Sequence, residues 1–557
     1  MKMRYQWNRL KVWLFPGVSF GLNLLTALFW VALRVNYSGI SKFLGADTNP
    51  SFLVMNLPLM VAAAAWLSCA LALWGVAGWE NRKWPAVVSF VLGLIFTVAA
   101  GAVVLFGAKD YLRFILPHFW KSLVAAGGVL LFGLVLYFPV RGRNALKGLI
   151  LAAVILTTVI LGYKLRPCTI SYGAVVYAVE DDYQIVFSTS DSAIAWVEIG
   201  GQRYYDLYAG SMRSVDKVHK IEIPQEVLDQ AGSYSIHAMQ MIYRGPFGGY
   251  TGPEISESYA FRPVDGSDGL DYFALSDVHE AVDAAAAAAA GEQDFIVLIG
   301  DLVSMVETEK DAQLANELAH KITGGEIPVI YARGNHEIKG EYAEDLYKYV
   351  GTRGQDYYYT ASLGEDVFVV VLDMGEDHED DWWEYYGTAQ FDLYRAEQTE
   401  FLKEILMEGE YEDYRYRLAL CHIPISHVDG KFETFKQDWT TLLNEMDVDM
   451  CLSGHKHKLW TFIPGQVEAF EALNKSGHYL TDFNFPGFLV GRRSLTQEGG
   501  TQSDGYDQYT GLRIRADFSS GIQTAYYINS CQEVLEGKYP FGEGTFRELS
   551  LELKRGG

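Results

Sequence analysis

The chain has 557 residues, half of them hydrophobic, and a formal net charge of −24. The charge is divided: residues 1–166 carry 16 Lys+Arg against 3 Asp+Glu, and the remainder carries 29 against 66. A back portion of net charge −37 repels phosphate backbones, which excludes nucleic-acid binding by general electrostatics and leaves room for a small phosphorylated substrate neutralised by metal ions.

The front portion contains five apolar runs: Trp13–Ala32, Phe52–Gly78, Ala86–Ala108, Ser122–Val140 and Gly148–Tyr163. A helix needs about 20 apolar residues to cross a bilayer, and the last run is the shortest. A cleavable signal peptide fits poorly, because the first run is long and four more follow. Lys2, Arg4, Arg9 and Lys11 precede the first run. Arg82 and Lys83 lie between the second and third, and Arg141, Arg143 and Lys147 between the fourth and fifth. Placing these basic sets in the cytoplasm puts the N-terminus inside and, after five crossings, everything beyond residue 166 outside. Four crossings would reverse the sidedness. The runs have no charges in their interiors, so they read as a multi-pass cell-membrane anchor and not as a transport path.

From residue 167 to 265 apolar and polar residues alternate, as in Ala174–Val179, Gln184–Ser188 and Ala193–Ile199, with turn signals at Gly200–Gly201 and Gly245–Gly249. This pattern predicts a small all-β sandwich. Beyond Leu270 strands and helices alternate, predicting an α/β domain over 266–557. Its strands end in chemistry-bearing residues. Leu270–Leu275 leads to Asp277 and His279, and Phe295–Ile299 to Gly300-Asp301. Ile327–Tyr331 leads to Arg333-Gly334-Asn335-His336-Glu337, Phe368–Leu372 to Asp373, Leu418–Leu420 to His422, and Val448–Leu452 to Gly454-His455-Lys456-His457. In open α/β sheets ligands bind beyond the carboxyl ends of the strands, so these residues share one rim. Asp277, His279, Asp301, Asn335, His422, His455 and His457 offer oxygen and nitrogen to divalent metals, enough for two ions if one carboxylate bridges. No CxxC occurs among the five cysteines; Cys421 and Cys451 sit in apolar runs and are expected to be buried.

The ordered series DxH…GD…GNHE…H…GHxH resembles the calcineurin-like metallophosphoesterase superfamily over residues 270–460. The resemblance implies a four-layer α-β-β-α sandwich. It also implies hydrolysis of a phosphomonoester, phosphodiester or pyrophosphate by a metal-bound hydroxide at a two-metal site. By motif, Asp277, His279, Asp301 and His457 hold the first ion, with Asp301 as the bridge. Asn335, His422 and His455 hold the second, and His336 is the catalytic non-ligand. The ions could be Mn, Fe, Zn or Mg. Arg333 either holds a phosphate oxygen as a forked donor or pairs with local acids. The β-rich stretch before the domain resembles the fibronectin-III-like N-terminal domain of purple acid phosphatases. The whole chain is thus expected to be multi-domain. A transmembrane region of about five helices covers 1–166, a sandwich 167–265 and the phosphoesterase 266–557. The substrate is expected to be a small phosphorylated molecule or a lipid-linked one. The other reading is a membrane receptor that uses an inactive phosphoesterase fold for binding.

Two features depart from the relatives. Ser304 stands where phosphoprotein phosphatases place an Asp and purple acid phosphatases a metal-ligating Tyr. His336 therefore lacks a carboxylate partner from this loop, with Glu337 and His427 as substitutes. The segment Asp373–Asp381, DMGEDHEDD, and the aromatic stretch behind it read either as a solvated surface loop or as a cleft edge that screens charge or captures a cation.

Overall fold

The computed structural model describes residues 17–30, most of 61–68, 84–106, and 168–555 except 209, 245–248, 383–384, 386, 430–433, 466–477, 492–507 and 541–543. The chain divides into two compact units, Met1–Thr157 with Asp381–Thr388, and Thr158–Asp380 with Ala389–Gly557.

In the first unit residues 17–30 are helical, and α1 (Trp84–Phe106) is a 23-residue helix without a charged side chain. Small polar groups join them. Asn23 Nδ2 donates to the Ser89 carbonyl at 2.8 Å, and the Thr26 and Thr97 hydroxyls meet at 2.9 Å. Helices in apolar surroundings associate through such side chains. Val87, Val91, Leu94, Ile95 and Val98 on α1 are exposed. No helix of the described residues is long and apolar enough to cross a membrane; several side chains near the ends of α1 lie outside the description. The expected runs Ser122–Val140 and Gly148–Tyr163 lie outside the described residues altogether.

The second unit begins with β1 (Ile170–Val179), β2 (Asp182–Ile199), β3 (Gln202–Tyr205), β4 (Asp216–Pro224), β5 (Ser233–Arg244) and β6 (Gly249–Ala260). Two of the expected strands are one: β2 runs through an irregularity between Ser188 and Ala193. Its first half pairs with β1 and β4, its second with β3 and β5. A strand that changes partners at a bulge is how sheets turn corners.

The α/β part continues with β7 (Leu270–Leu275), α2 (Val282–Ala288), β8 (Phe295–Ile299), α3 (Leu314–Thr323), β9 (Pro328–Ala332), β10 (Tyr359–Leu363), β11 (Val367–Leu372), α4 (Phe391–Glu408), β12 (Tyr416–Cys421), α5 (Phe435–Glu445), β13 (Met450–Ser453), β14 (Thr461–Phe462), β15 (Gly487–Leu489), β16 (Thr510–Asp517) and β17 (Ile522–Asn529). Among the described residues the largest sheet has thirteen strands and includes the order β17-β16-β7-β8-β9-β1-β2-β5-β6; the next has six, β10-β11-β12-β13-β15-β14. The β-rich region is therefore not set apart by a break at residue 265: β1 adds in parallel to β9, with Val176 opposite Pro328. Buried polar bonds reinforce this edge. Gln184 exchanges two hydrogen bonds with the Thr352 backbone, at 2.8 and 3.0 Å, and Tyr177 donates to Asn316 at 2.9 Å.

Alternation along β11 shows the layering. Val367, Val369 and Val371 join the core between the sheets, with Tyr272, Phe295 and Leu452. Phe368, Val370 and Leu372 face a second core with Phe401 and Leu402 of α4 and Trp439 of α5. Helices α2 and α3 cover the larger sheet, giving helix, sheet, sheet, helix. The C-terminal strands extend the larger sheet: β16 pairs antiparallel with β7, Leu512 opposite Ala274. Cys168, Cys421, Cys451 and Cys531 are free thiols, the first three buried.

Candidate metal centre

All seven expected ligands come together at the carboxyl ends of β7, β8, β9, β12 and β13, drawn from both sheets. They form two overlapping groups. Asp277, His279, Asp301 and His457 make one, and Asp301, His422 and His455 the other; within each group ligand atoms lie within 4.8 Å of one another. Asn335 joins the second through Oδ1, 3.2 Å from His455 Nδ1. His457 Nε2 lies 3.2 Å from Asp277 Oδ1 and 3.3 Å from His279 Nε2.

The backbone is forced to deliver them. Asp277, His279, Asp301, His455 and His457 all have φ between 43° and 68°, a left-handed conformation that costs a side-chain-bearing residue on the order of 1–3 kcal/mol. Nine non-glycine residues among those described adopt positive φ, and five of them are these ligands, so the strain is concentrated at the rim. Bonds elsewhere maintain it. The amides of Asp277, His279 and Glu280 donate to the carbonyls of Gly300, Asp301 and Leu302 at 3.0, 3.1 and 2.9 Å. Buried Glu337 accepts from the amides of Asp301, Leu302 and Gly334 at 2.8, 2.7 and 3.1 Å. Buried Tyr509 brackets Ser276, accepting from its amide and donating to its carbonyl at 2.7 and 2.6 Å. The loops also approach too closely for side chains. A Cβ on Gly454 would lie 1.8 Å from Ser276 Oγ, and one on Gly334 2.3 Å from Asp301 N.

The donor set fits a cation. His422 is 2% exposed, and its Nδ1 donates to the Ile299 carbonyl at 2.7 Å. In the neutral imidazole that bond leaves the lone pair on buried Nε2, which lies 3.1 Å from Asp301 Oδ2. A buried nitrogen so placed suits an ion beyond it. Protons take the ion's place electrostatically. Burial works against a charge on His422, but Asp301 and Asp277 outweigh it and raise its pKa to about 10. Burial raises Asp277 to about 6 and lowers His279 to about 3. Burial also opposes the charge on Asp301, yet the facing imidazoles of His422, His336 and His279 hold it below the ordinary carboxylate range.

His336 is not among the ligand atoms. Its Nδ1 meets the Ser304 carbonyl at 2.8 Å and its Nε2 is 3.8 Å from Asp301 Oδ2. A carbonyl only accepts, so Nδ1 carries a proton and Nε2 faces the cluster. The missing carboxylate is thus replaced by the main chain of the same residue. Glu337 serves the Asp301 loop instead, and the side chain of His427 lies outside the description. The Ser304 hydroxyl is bound to Glu280 at 3.0 Å. Arg333 pairs with a local acid: Nε and one terminal nitrogen lie 2.8 and 2.7 Å from Asp373 Oδ2, and the guanidinium stacks on Tyr357 at 3.9 Å.

Sequence reasoning missed the reach of the acidic segment. Asp373 and Glu376 are buried, not solvated. Glu376 Oε1 accepts from Asn335 Nδ2 at 2.9 Å, and Asp377 Oδ2 lies 3.0 Å from His455 Nε2. The only signal was position, since Asp373 ends a core strand on the ligand rim. Glu280 and Tyr509 carried no signal.

Residues 271–459 match the family model of the calcineurin-like phosphoesterases. This chain carries a calcineurin-like phosphoesterase domain. No curated protein matches the chain. Among solved structures it is similar to purple acid phosphatase PPD1 from yellow lupin (Lupinus luteus) seeds, at 13% identity and a TM-score of 0.44, with 68% of this chain and 74% of that one covered. It is also similar to PhoD, at 10% identity and a TM-score of 0.39, with coverage of 69% and 90%. The phosphoesterase domain accounts for the residue set on the rim: its chemistry is metal-dependent hydrolysis of phosphoesters.

Proposed function

We propose that the phosphoesterase domain works with two ions. Asp277, His279, Asp301 and His457 would hold one and Asn335, His422 and His455 the other, with Asp301 common to both groups. The observation that carries this reading is the pair of ligand groups sharing one carboxylate. Two such ions neutralise phosphate charge and lower the pKa of a bound water. The chain's own residues do the rest. Glu337 and the bonds between the Asp277 and Asp301 loops keep the carboxylates in register. His336, turned by the Ser304 carbonyl, directs Nε2 at the cluster, where the doubly protonated imidazole would donate to a phosphoryl oxygen or a leaving group. Arg333, neutralised by Asp373, borders the site without adding a free positive charge.

The front portion tethers this activity to the cell membrane as a multi-pass anchor, with the phosphoesterase outside. The five apolar runs, the basic loops and the exposed apolar face of α1 support that reading. The β-rich region, fibronectin-III-like in its strand pattern, braces the catalytic sheet along its β9 edge. Tethering concentrates lipid-linked phosphates, which joins them to small phosphomonoesters and phosphodiesters as the substrate class.

The test is hydrolysis of chromogenic mono- and diester phosphates by the full chain in detergent, metal-stripped and reloaded with Mn, Fe, Zn or Mg, beside Asp301→Ala. Metal-dependent turnover absent from the variant is expected. Folded, metal-loaded protein without turnover on these or on lipid-linked phosphates would defeat the proposal. A C-terminal reporter active only in the cytoplasm would overturn the sidedness.

A further inference from the structure

Two carboxylates next to the site have no part in the reaction so far. They are Glu376 and Asp377, in the acidic segment that follows β11. Helix α4 fixes the main chain beneath them. Buried Gln398 accepts from the Asp373 amide at 2.8 Å and donates to the Asp373 carbonyl at 2.6 Å. Arg395, 1% exposed, donates to the carbonyls of Met374, Glu376 and His378. A buried guanidinium committed to carbonyls along one loop makes that loop a rigid support and not a solvated flap.

From this base the carboxylates act on Asn335 and His455. An amide whose NH2 is bound to Glu376 must turn its oxygen the other way. An imidazole whose Nε2–H points at Asp377 carries its proton there and offers the lone pair of Nδ1. The two atoms so exposed, Asn335 Oδ1 and His455 Nδ1, are both acceptors and stand 3.2 Å apart. Two acceptors that close repel unless a cation lies beside both. The remaining carboxylate oxygens have other neighbours: Lys339 Nζ is 2.9 Å from Glu376 Oε2, and His378 Nε2 is 3.4 Å from Asp377 Oδ1.

We propose that Glu376 and Asp377 are positioning residues for the second ion. They set the orientation of the Asn335 amide and the tautomer of His455, and through them the affinity of the Asn335–His422–His455 group alone. The inference rests on the two-ion reading above. It assigns the acidic segment a role in metal retention. Glu376, Asp377 and His378 also group closely enough to hold a cation themselves, but the oxygens nearest the centre are turned to Asn335 and His455.

The test uses the full chain in detergent, stripped by chelator and titrated with Mn(II) or Zn(II) by calorimetry, with bound metal counted by mass spectrometry. Wild type is expected to take up two ions. Glu376→Gln and Asp377→Asn should keep the first affinity and weaken the second by about 10- to 100-fold, the usual cost of losing an outer carboxylate. Asp377→Glu should recover part of the loss. Asp380→Asn, which removes the same charge from the same loop without touching a ligand, should bind like wild type. A purely structural role would lower both affinities together, or the circular dichroism signal with them, and would overturn the proposal. Unchanged second-ion affinity in both variants would do the same, as would loss of a third ion. Fewer than two ions in wild type would instead remove the two-ion reading.

Discussion

Two places in the second unit bury many polar groups, and they do so in opposite ways. At the edge where the β-rich region joins the catalytic sheet, each donor meets an acceptor. Gln184 satisfies both ends of its amide on Thr352, Gln225 donates to the Ser362 carbonyl at 2.9 Å, and Asn316 links Tyr177 to the Tyr349 carbonyl. Lys220 Nζ donates to the carbonyls of Tyr347 and Val350 and to the Thr352 hydroxyl. At the rim the groups face one another badly: with its proton turned to Asp377, His455 Nδ1 meets Asn335 Oδ1, and His422 Nε2 is buried against the Asp301 carboxylate. Five of the ligands also sit in left-handed backbone. Satisfied burial holds two regions together. Unsatisfied burial, kept in place by neighbouring bonds, marks a site that a ligand completes.

The largest effect that tests this contrast belongs to Asp301. Asp301→Asn should lower metal-dependent turnover on the order of 1000-fold or more, about 4 kcal/mol of barrier. In metal-free protein it should lower the melting temperature as well, because the imidazoles of His422, His336 and His279 that favour the ionised Asp301 lose their counter-charge. Added metal should then raise the melting temperature of wild type and not of the variant, and an equal rise in both would mean that the rim does not need its ions. Gly454→Ala comes next. Its Cβ would collide with Ser276 and with Asp277 Oδ2 at 2.6 Å, so both properties should suffer. Stability should fall by about 1–3 kcal/mol, with metal uptake lost alongside, as denaturant melts and metal counting would show.

The rim was legible because its signals are local. Each ligand follows a strand of its own, and Asp, Asn and His at strand ends have few structural uses in common. The outer contacts were not legible for the same reason. Glu376 and Asp377 lie in a run that reads as solvated, and what fixes the main chain beneath them, Arg395 and Gln398, belongs to the next helix. The α/β class followed from the alternation of strands and helices, and the four layers from the family resemblance. The joining of β1 to β9 did not, since Val176 and Pro328 carry nothing in their types that names each other. The placement of β16 beside β7 was likewise invisible. A strand's pattern gives the face it buries, not the neighbour it pairs with.

A smaller effect tests the junction. Burial holds Lys220 down at about 8, below the roughly 10.4 of an exposed lysine. Between these values the unfolded chain binds the extra proton, so stability rises with pH across that window, and the full cost of the buried charge is present below pH 8. Relative to Lys220→Met, wild type should therefore gain stability from pH 8 to pH 10.5. The three oxygen acceptors favour the charged form and keep the gain below the ~3 kcal/mol that such a shift alone represents. Turnover per folded molecule should not change. Denaturant melts of both proteins across this range are the measurement, and a difference independent of pH would show that the ammonium is as well solvated there as in water.

The smallest effect separates a side chain from its own main chain. His336 is turned by the carbonyl of Ser304, while the Ser304 hydroxyl is turned to Glu280. Ser304→Ala keeps the carbonyl and removes only the hydroxyl, so turnover should stay within about threefold of wild type, under 1 kcal/mol of barrier. Ser304→Asp places a carboxylate where phosphoprotein phosphatases carry one. Here Glu280 already occupies the space beside residue 304, and two carboxylates brought together repel. The substitution should therefore lower turnover by displacing the loop, and Glu280→Gln in the same chain should restore part of it. A gain in activity from Ser304→Asp alone would mean that a carboxylate, and not the carbonyl, is the better partner for His336 in this domain.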